Sequence, residues 1–210
     1  MKNYLILMLL SFSLSSAQNG YWQQQADYTM SIDVDVETFS YSGEQSLVYT
    51  NNSPDTLQRV FYHLYYNAFK PGSDLEAASR NSYNDRRSMS KRLLSLDKND
   101  WGDVNVLSLK QDGRPVSHVT KETILEVALG KPLLPGKSTT LDMSFFVKVP
   151  AVVRRAGKNN PDGVAFSMAQ WYPKLCQYDD EGWHANPYLG REFYGIWGDF
   201  DVTINIDKNY

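Results

Sequence analysis

The chain is poor in the residues from which thiol and metal chemistry is built. Among its 210 residues are one cysteine, Cys176, and three histidines, His63, His118 and His184. A single cysteine excludes an internal disulfide, so the chain has to be held together by its core. Nothing near Cys176 in sequence supplies a base to activate a thiol, and the residue reads as a small buried hydrophobe. No histidine lies within a helical turn of another, which excludes a zinc site built from two histidines on one helix face. One-sided charge is missing too: 21 Lys and Arg stand against 24 Asp and Glu, a net charge of −3, with no long block of either sign. That leaves no footprint for nucleic acid or for an anionic membrane surface. After the first 17 residues, no helical periodicity extends over three turns.

Those first residues differ from the rest. Lys2 precedes an apolar run from Tyr4 to Leu10 that continues through Phe12 and Leu14 and ends in Ser15-Ser16-Ala17. This pattern reads as a secretory signal peptide cleaved after Ala17, too short for a permanent membrane span, and it places the product in the periplasm or outside the cell. Residues 18–210 then read as one domain, with no repeat or linker to divide it.

Short strands fill that domain. Tyr28, Met30, Ile32, Val34 and Val36 alternate with Thr29, Ser31, Asp33 and Asp35, the pattern of a strand with one wet face. Gln45 to Thr50 and Leu57 to Tyr66 flank the turn formers Asn51-Asn52-Ser53-Pro54-Asp55 and read as a hairpin. Asn51-Asn52-Ser53, formally a glycosylation sequon, reads as turn chemistry. Val104 to Lys110 and Arg114 to Val119 form a second hairpin about Asp112-Gly113. Strands at 123–129 and 140–149 are joined by a connection holding Pro132 and Pro135, which cannot donate to a central ladder. Residues 69–103 are irregular, with a short helix expected at 74–79 and small basic clusters at Arg86-Arg87 and Lys91-Arg92 that read as solvated. The fold class is all-β: a sandwich or saddle-like assembly of mostly antiparallel strands with long loops.

The specific stretch is Gly163 to Ile206. Gly163–Ala169 and Phe200–Ile206 read as strands, the latter alternating Phe200, Val202, Ile204 and Ile206 with polar residues. Between them some thirty residues dense in aromatic, Gly, Pro and Asp positions suit an ordered, packed loop.

Within this stretch Gln170-Trp171-Tyr172-Pro173-Lys174, Asp179-Asp180-Glu181-Gly182-Trp183-His184, Asn186-Pro187-Tyr188 and Gly198-Asp199-Phe200-Asp201-Val202-Thr203-Ile204 are long, specific motifs. They resemble the closing part of the N-terminal domain in the aminopeptidase N family of zinc metallopeptidases, most closely the secreted bacterial members. Tyr21-Trp22-Gln23-Gln24-Gln25, the run from Leu47 to Leu57, Val60 to Tyr65, and Val149-Pro150 leading to Arg154-Arg155 resemble it as well, so the likeness covers nearly all of residues 18–210. The resemblance implies a β-rich saddle leaning on a catalytic domain that cuts peptides with zinc held by a helical HExxH motif and a further glutamate. No histidine here is followed by glutamate. The expectation is therefore a non-catalytic, substrate-side domain in a truncated record. Zinc, the catalytic domain and the peptide chemistry would lie elsewhere in the same polypeptide, and the chain alone would be inactive.

The resemblance also assigns residues. Gln170 falls where the family places a Gln or Glu that binds the free amino group of a peptide, a task suited to an acceptor because ammonium offers only donors. Trp171, Tyr172, Trp183, Tyr188 and Trp197 are expected on the face that docks on the catalytic domain. Two other readings stay open. Asp179, Asp180, Glu181 and His184 have the composition of a cation site, though loops of this kind are usually hydrogen-bonded turns. The rings, with Tyr178, Phe193 and Tyr194, have that of a sugar-stacking platform on a carbohydrate-binding or adhesion module. His63, between Tyr62 and Leu64, reads as a packed core histidine.

Overall fold

A computed structural model describes residues 20–80, 89–151, 155–191 and 195–210. The expected signal peptide, Arg86-Arg87, Arg154, Phe193 and Tyr194 lie outside these residues. In chain order the strands are β1 (Gln25–Asp35), β2 (Ser40–Asn51), β3 (Leu57–His63), β4 (Asp103–Gln111), β5 (Arg114–Pro115), β6 (His118–Lys121), β7 (Ile124–Leu133), β8 (Lys137–Lys148), β9 (Gly157–Lys158), β10 (Phe166–Ser167), β11 (Lys174–Leu175), β12 (Tyr178–Asp179), β13 (Gly182–Trp183) and β14 (Phe200–Asn205). Two short helices, α1 (Asp74–Arg80) and α2 (Met89–Leu94), sit between β3 and β4. No helix among the described residues is long and apolar enough to cross a membrane.

The strands make an all-β sandwich. One sheet has the order β14-β1-β2-β8-β4-β5 and the other β11-β3-β7-β6; β14 runs parallel to β1, and the remaining pairs in both sheets are antiparallel. Period-2 alternation turns Tyr28, Met30, Ile32, Leu47, Tyr49, Leu141, Met143 and Phe145 of the first sheet inward. There they meet Val60, Tyr62, Leu125, Val127 and Leu175 of the second in one continuous core. The turn of the expected second hairpin forms, with Asp112 and Gly113 at φ +48° and +78°, the conformation a two-residue turn needs at both positions. Of residues 114–119, however, only Arg114–Pro115 pairs with β4, while His118 and Val119 belong to β6 in the other sheet.

The expected hairpin of residues 45–66 does not form. β2 pairs with β1 and β8, whereas β3 pairs with β7 and β11, so the turn at 51–55 carries the chain from one sheet to the other. Asn51 makes that crossing: fully buried, it donates to the carbonyls of Asp55 and Leu133 and accepts from Gln24 and from the Ser53 amide and hydroxyl. Its burial fits turn chemistry and leaves no room for a glycan. Strands β7 and β8 likewise belong to different sheets. Pro132 lies inside β7, near its end, where the register with β3 shifts and a missing ladder donor costs nothing.

One further strand expectation changes. Of Gly163–Ala169 only Phe166–Ser167 is strand, paired with β9. β14 forms where a strand is expected, over Phe200–Asn205, and all of its residues are exposed. In register Phe200, Val202 and Ile204 stand beside Tyr28, Met30 and Ile32 on the core side of the sheet. Those β1 residues are buried, yet Phe200, Val202 and Ile204 are 51%, 38% and 52% exposed. The opposing sheet stops one strand short of the edge.

Candidate functional site

Gln170 sits in the turn between β10 and β11, half-buried, at φ +55°. A left-handed backbone costs a residue with a Cβ on the order of 1–2 kcal/mol, so its surroundings must impose it. Met168 and Ala169 before it and Trp171 and Tyr172 after it pack on the core. The next five residues are gripped by side chains that reach across from the six-stranded sheet. The Tyr41 hydroxyl donates to the Trp171 carbonyl, Gln45 Nε2 donates to the Pro173 carbonyl at 3.0 Å, and the Leu175 amide donates to the Tyr28 hydroxyl at 3.0 Å. All three side chains are buried. β11 then pairs with the end of β3, Lys174 opposite His63 and Leu175 opposite Tyr62, and the Cys176 amide donates to the Phe61 carbonyl at 2.8 Å.

Rings bind the same segment sideways. Trp171 packs edge-on to Tyr41 and Tyr172, Tyr172 edge-on to Tyr28 and Phe200, and Phe200 flat on Tyr28 at 4.9 Å between centroids. Trp183 meets Tyr49, Phe61 and Tyr178. Of the five residues expected on a docking face, Trp171, Tyr172 and Trp183 are half-buried with part of each ring committed to the core. Tyr188 is only 2% exposed, enclosed by Tyr65 and Phe69, and is a core residue with no surface to offer. Trp197 is 73% exposed at the start of the β14 edge. A contiguous apolar row left open thus lies along β14 and Trp197, and not along the rings of 171–188. Sequence reasoning located β14 as a strand but not its exposure, because alternation alone does not say whether a facing sheet reaches it. It also missed Tyr28, Tyr41 and Gln45; a glutamine at an inward parity position was the signal available.

The titratable groups divide into structural roles. Burial pushes the Cys176 thiol well up, so it stays protonated and unreactive in the fold. Burial, with Lys174 opposite it, pushes His63 down to about 4, so this ring is neutral. His184 Nε2 lies 2.8 Å from Asp179 Oδ2 across the β12–β13 hairpin, while Asp180 and Glu181 are exposed. Among the described residues no three His, Cys, Asp or Glu side chains converge. The donor set that zinc needs is not assembled by these residues, and Asp179 with His184 is a hydrogen-bonded hairpin clasp.

No family model and no curated protein matches the chain. Among solved structures it is similar to a two-domain M1 zinc metallopeptidase mutant bound to L-tryptophan, at 18% identity over 72% of this chain and 28% of that one, with a TM-score of 0.43. It is also similar to a mutant M1 zinc metallopeptidase from Deinococcus radiodurans bound to a Tyr-Ser-Ala substrate, at 18% identity over 70% and 26% of the two chains and a TM-score of 0.43. The chain therefore spans little more than a quarter of the length of these structures.

Proposed function

We propose that this chain is the non-catalytic, substrate-side N-terminal domain of an exported zinc aminopeptidase, seated against the metal-bearing domain of the same polypeptide. The observation that carries the reading is the core-side face of β14, where an apolar row in register with buried neighbours is left uncovered. A sandwich whose inner face is open at one edge suits a domain completed by another body. The motif resemblance supplies what that body is. In this reading the domain forms one wall of the active site, and Gln170 receives the peptide's amino terminus on its amide oxygen. Zinc is held by the other domain.

The rival reading, a sugar-binding platform, needs two or three coplanar exposed rings in a polar setting. Trp171 and Tyr172 are inclined at 61°, Tyr178 and Trp183 at 52°, and each pair packs against the core. That arrangement argues against a stacking platform, and the open apolar face lies along β14 instead.

The test is to measure zinc content and release of N-terminal amino acids on the purified 210-residue chain and on a longer product that includes the sequence encoded downstream of Tyr210. The expected result is neither metal nor turnover in the first and both in the second. Turnover by the 210-residue chain alone would refute the division of labour.

A further inference from the structure

We propose that Tyr28, Tyr41 and Gln45 are positioning residues that set the conformation of Gln170 and thereby the affinity for a primary ammonium group. The inference rests on the reading of Gln170 as the group that receives a peptide's amino terminus.

Residues 171–173 carry no strand pairing; the ladder resumes only at Lys174. Tyr41 and Gln45, from inward positions of β2, bond Trp171 and Pro173 where ladder bonds are missing, and Tyr28 of β1 accepts from the Leu175 amide just inside β11. Polar atoms on a core face are costly unless they are bonded, so each is retained for what it holds. What they hold is the five residues immediately after a left-handed, non-glycine Gln170. Gly43 lies between Tyr41 and Gln45 on the same face, where an added Cβ would stand 2.2 Å from the Phe145 ring. The ring thus occupies the gap between the two donors. The Tyr172 ring, against Tyr28 and Phe200, closes the grip from the side. A turn fastened at alternate residues this way cannot relax Gln170 to an ordinary backbone without breaking a buried bond.

The experiment uses the longer, active polypeptide with Gln170→Ala, Tyr41→Phe, Gln45→Met and the double variant Tyr41→Phe/Gln170→Ala. Tyr41→Phe keeps the ring and removes only the hydroxyl. Steady-state kinetics on peptides with a free amino terminus should give a KM raised about tenfold by Gln170→Ala and severalfold by Tyr41→Phe or Gln45→Met, with kcat within about twofold, the pattern of lost substrate binding. In the double variant Tyr41→Phe should add nothing, because its effect runs through Gln170. An effect of Gln170→Ala with none from Tyr41→Phe and Gln45→Met overturns the inference alone, as does full additivity in the double variant. No effect of Gln170→Ala overturns the reading of Gln170 and the inference with it. On the 210-residue chain itself, Tyr28→Phe should speed hydrogen exchange at the Leu175 amide; unchanged protection would count against the grip.

Discussion

At the scale of single residues the chain's ionisable groups make its acid stability predictable. His63 has its pKa depressed by burial to about 4 from an ordinary 6.5. The fold therefore holds the neutral ring while the unfolded chain takes up a proton. Stability should be full above pH 6.5 and fall as pH drops through the window from 6.5 to 4. Thermal unfolding across that range should show the loss, and His63→Leu should flatten it. Glu76 is governed by a second window. Its buried carboxylate accepts from the Arg80 guanidinium and the Ser90 hydroxyl, tying α1 to α2, and these bonds hold it at about 2 against an ordinary 4.5. Its contribution is present above pH 4.5 and is lost on descent toward 2, so Glu76→Gln should be less stable than the parent at pH 7 and indistinguishable from it near pH 2. Cys176 gives the simplest check: a thiol reagent should leave it unmodified in the native chain and label it in denaturant. Both readings of Cys176 and His63 as core residues were legible because each sits among apolar neighbours in a recognisable strand or loop. Glu76 was not, since its burial depends on α2, whose Ser90 lies fourteen residues away, and which has no helical periodicity of its own.

At the scale of elements, alternation located β1, β2, β4, β7 and β8, and turn formers located the chain reversals. What neither reveals is which strand pairs with which. The 45–66 segment has the grammar of a hairpin, yet Asn51, at the end of β2 in one sheet, donates to the turn carbonyl of Asp55 and to Leu133 of β7 in the other, and the turn becomes a bridge between them. The same limit hid the state of β14, whose alternation is correct and whose cover is absent. β14 meets β1 through a close approach at Gly198, where a Cβ would lie 1.7 Å from the Ala26 carbonyl oxygen. Gly198→Ala should therefore push β14 from the sheet and cost ~1–3 kcal/mol in urea unfolding, the usual range for overpacking. In the native chain the amides of β14 should exchange faster than those of β2, which is paired on both sides.

For the molecule as a whole, the open edge of β14 is a liability unless something occupies it. The isolated chain should self-associate in sedimentation experiments. Ile204→Lys, at an exposed position, should render it monomeric with a stability change within about 0.5 kcal/mol. On the proposed function, the same substitution should weaken assembly with the proposed metal-bearing domain. The role proposed for Gln170 rests on the motif resemblance, which was legible in the sequence. The grip that shapes its loop was not, because Tyr28, Tyr41 and Gln45 lie more than a hundred residues from the carbonyls and amide they engage. The measurement that tests the account most directly is reconstitution: the 210-residue chain and the downstream product prepared separately, assayed for release of N-terminal amino acids alone and mixed. The account predicts no turnover from this chain alone, substantial turnover on mixing, and its loss when Ile204→Lys replaces the parent. Turnover from this chain alone, or a downstream product whose activity is indifferent to its addition, would contradict it.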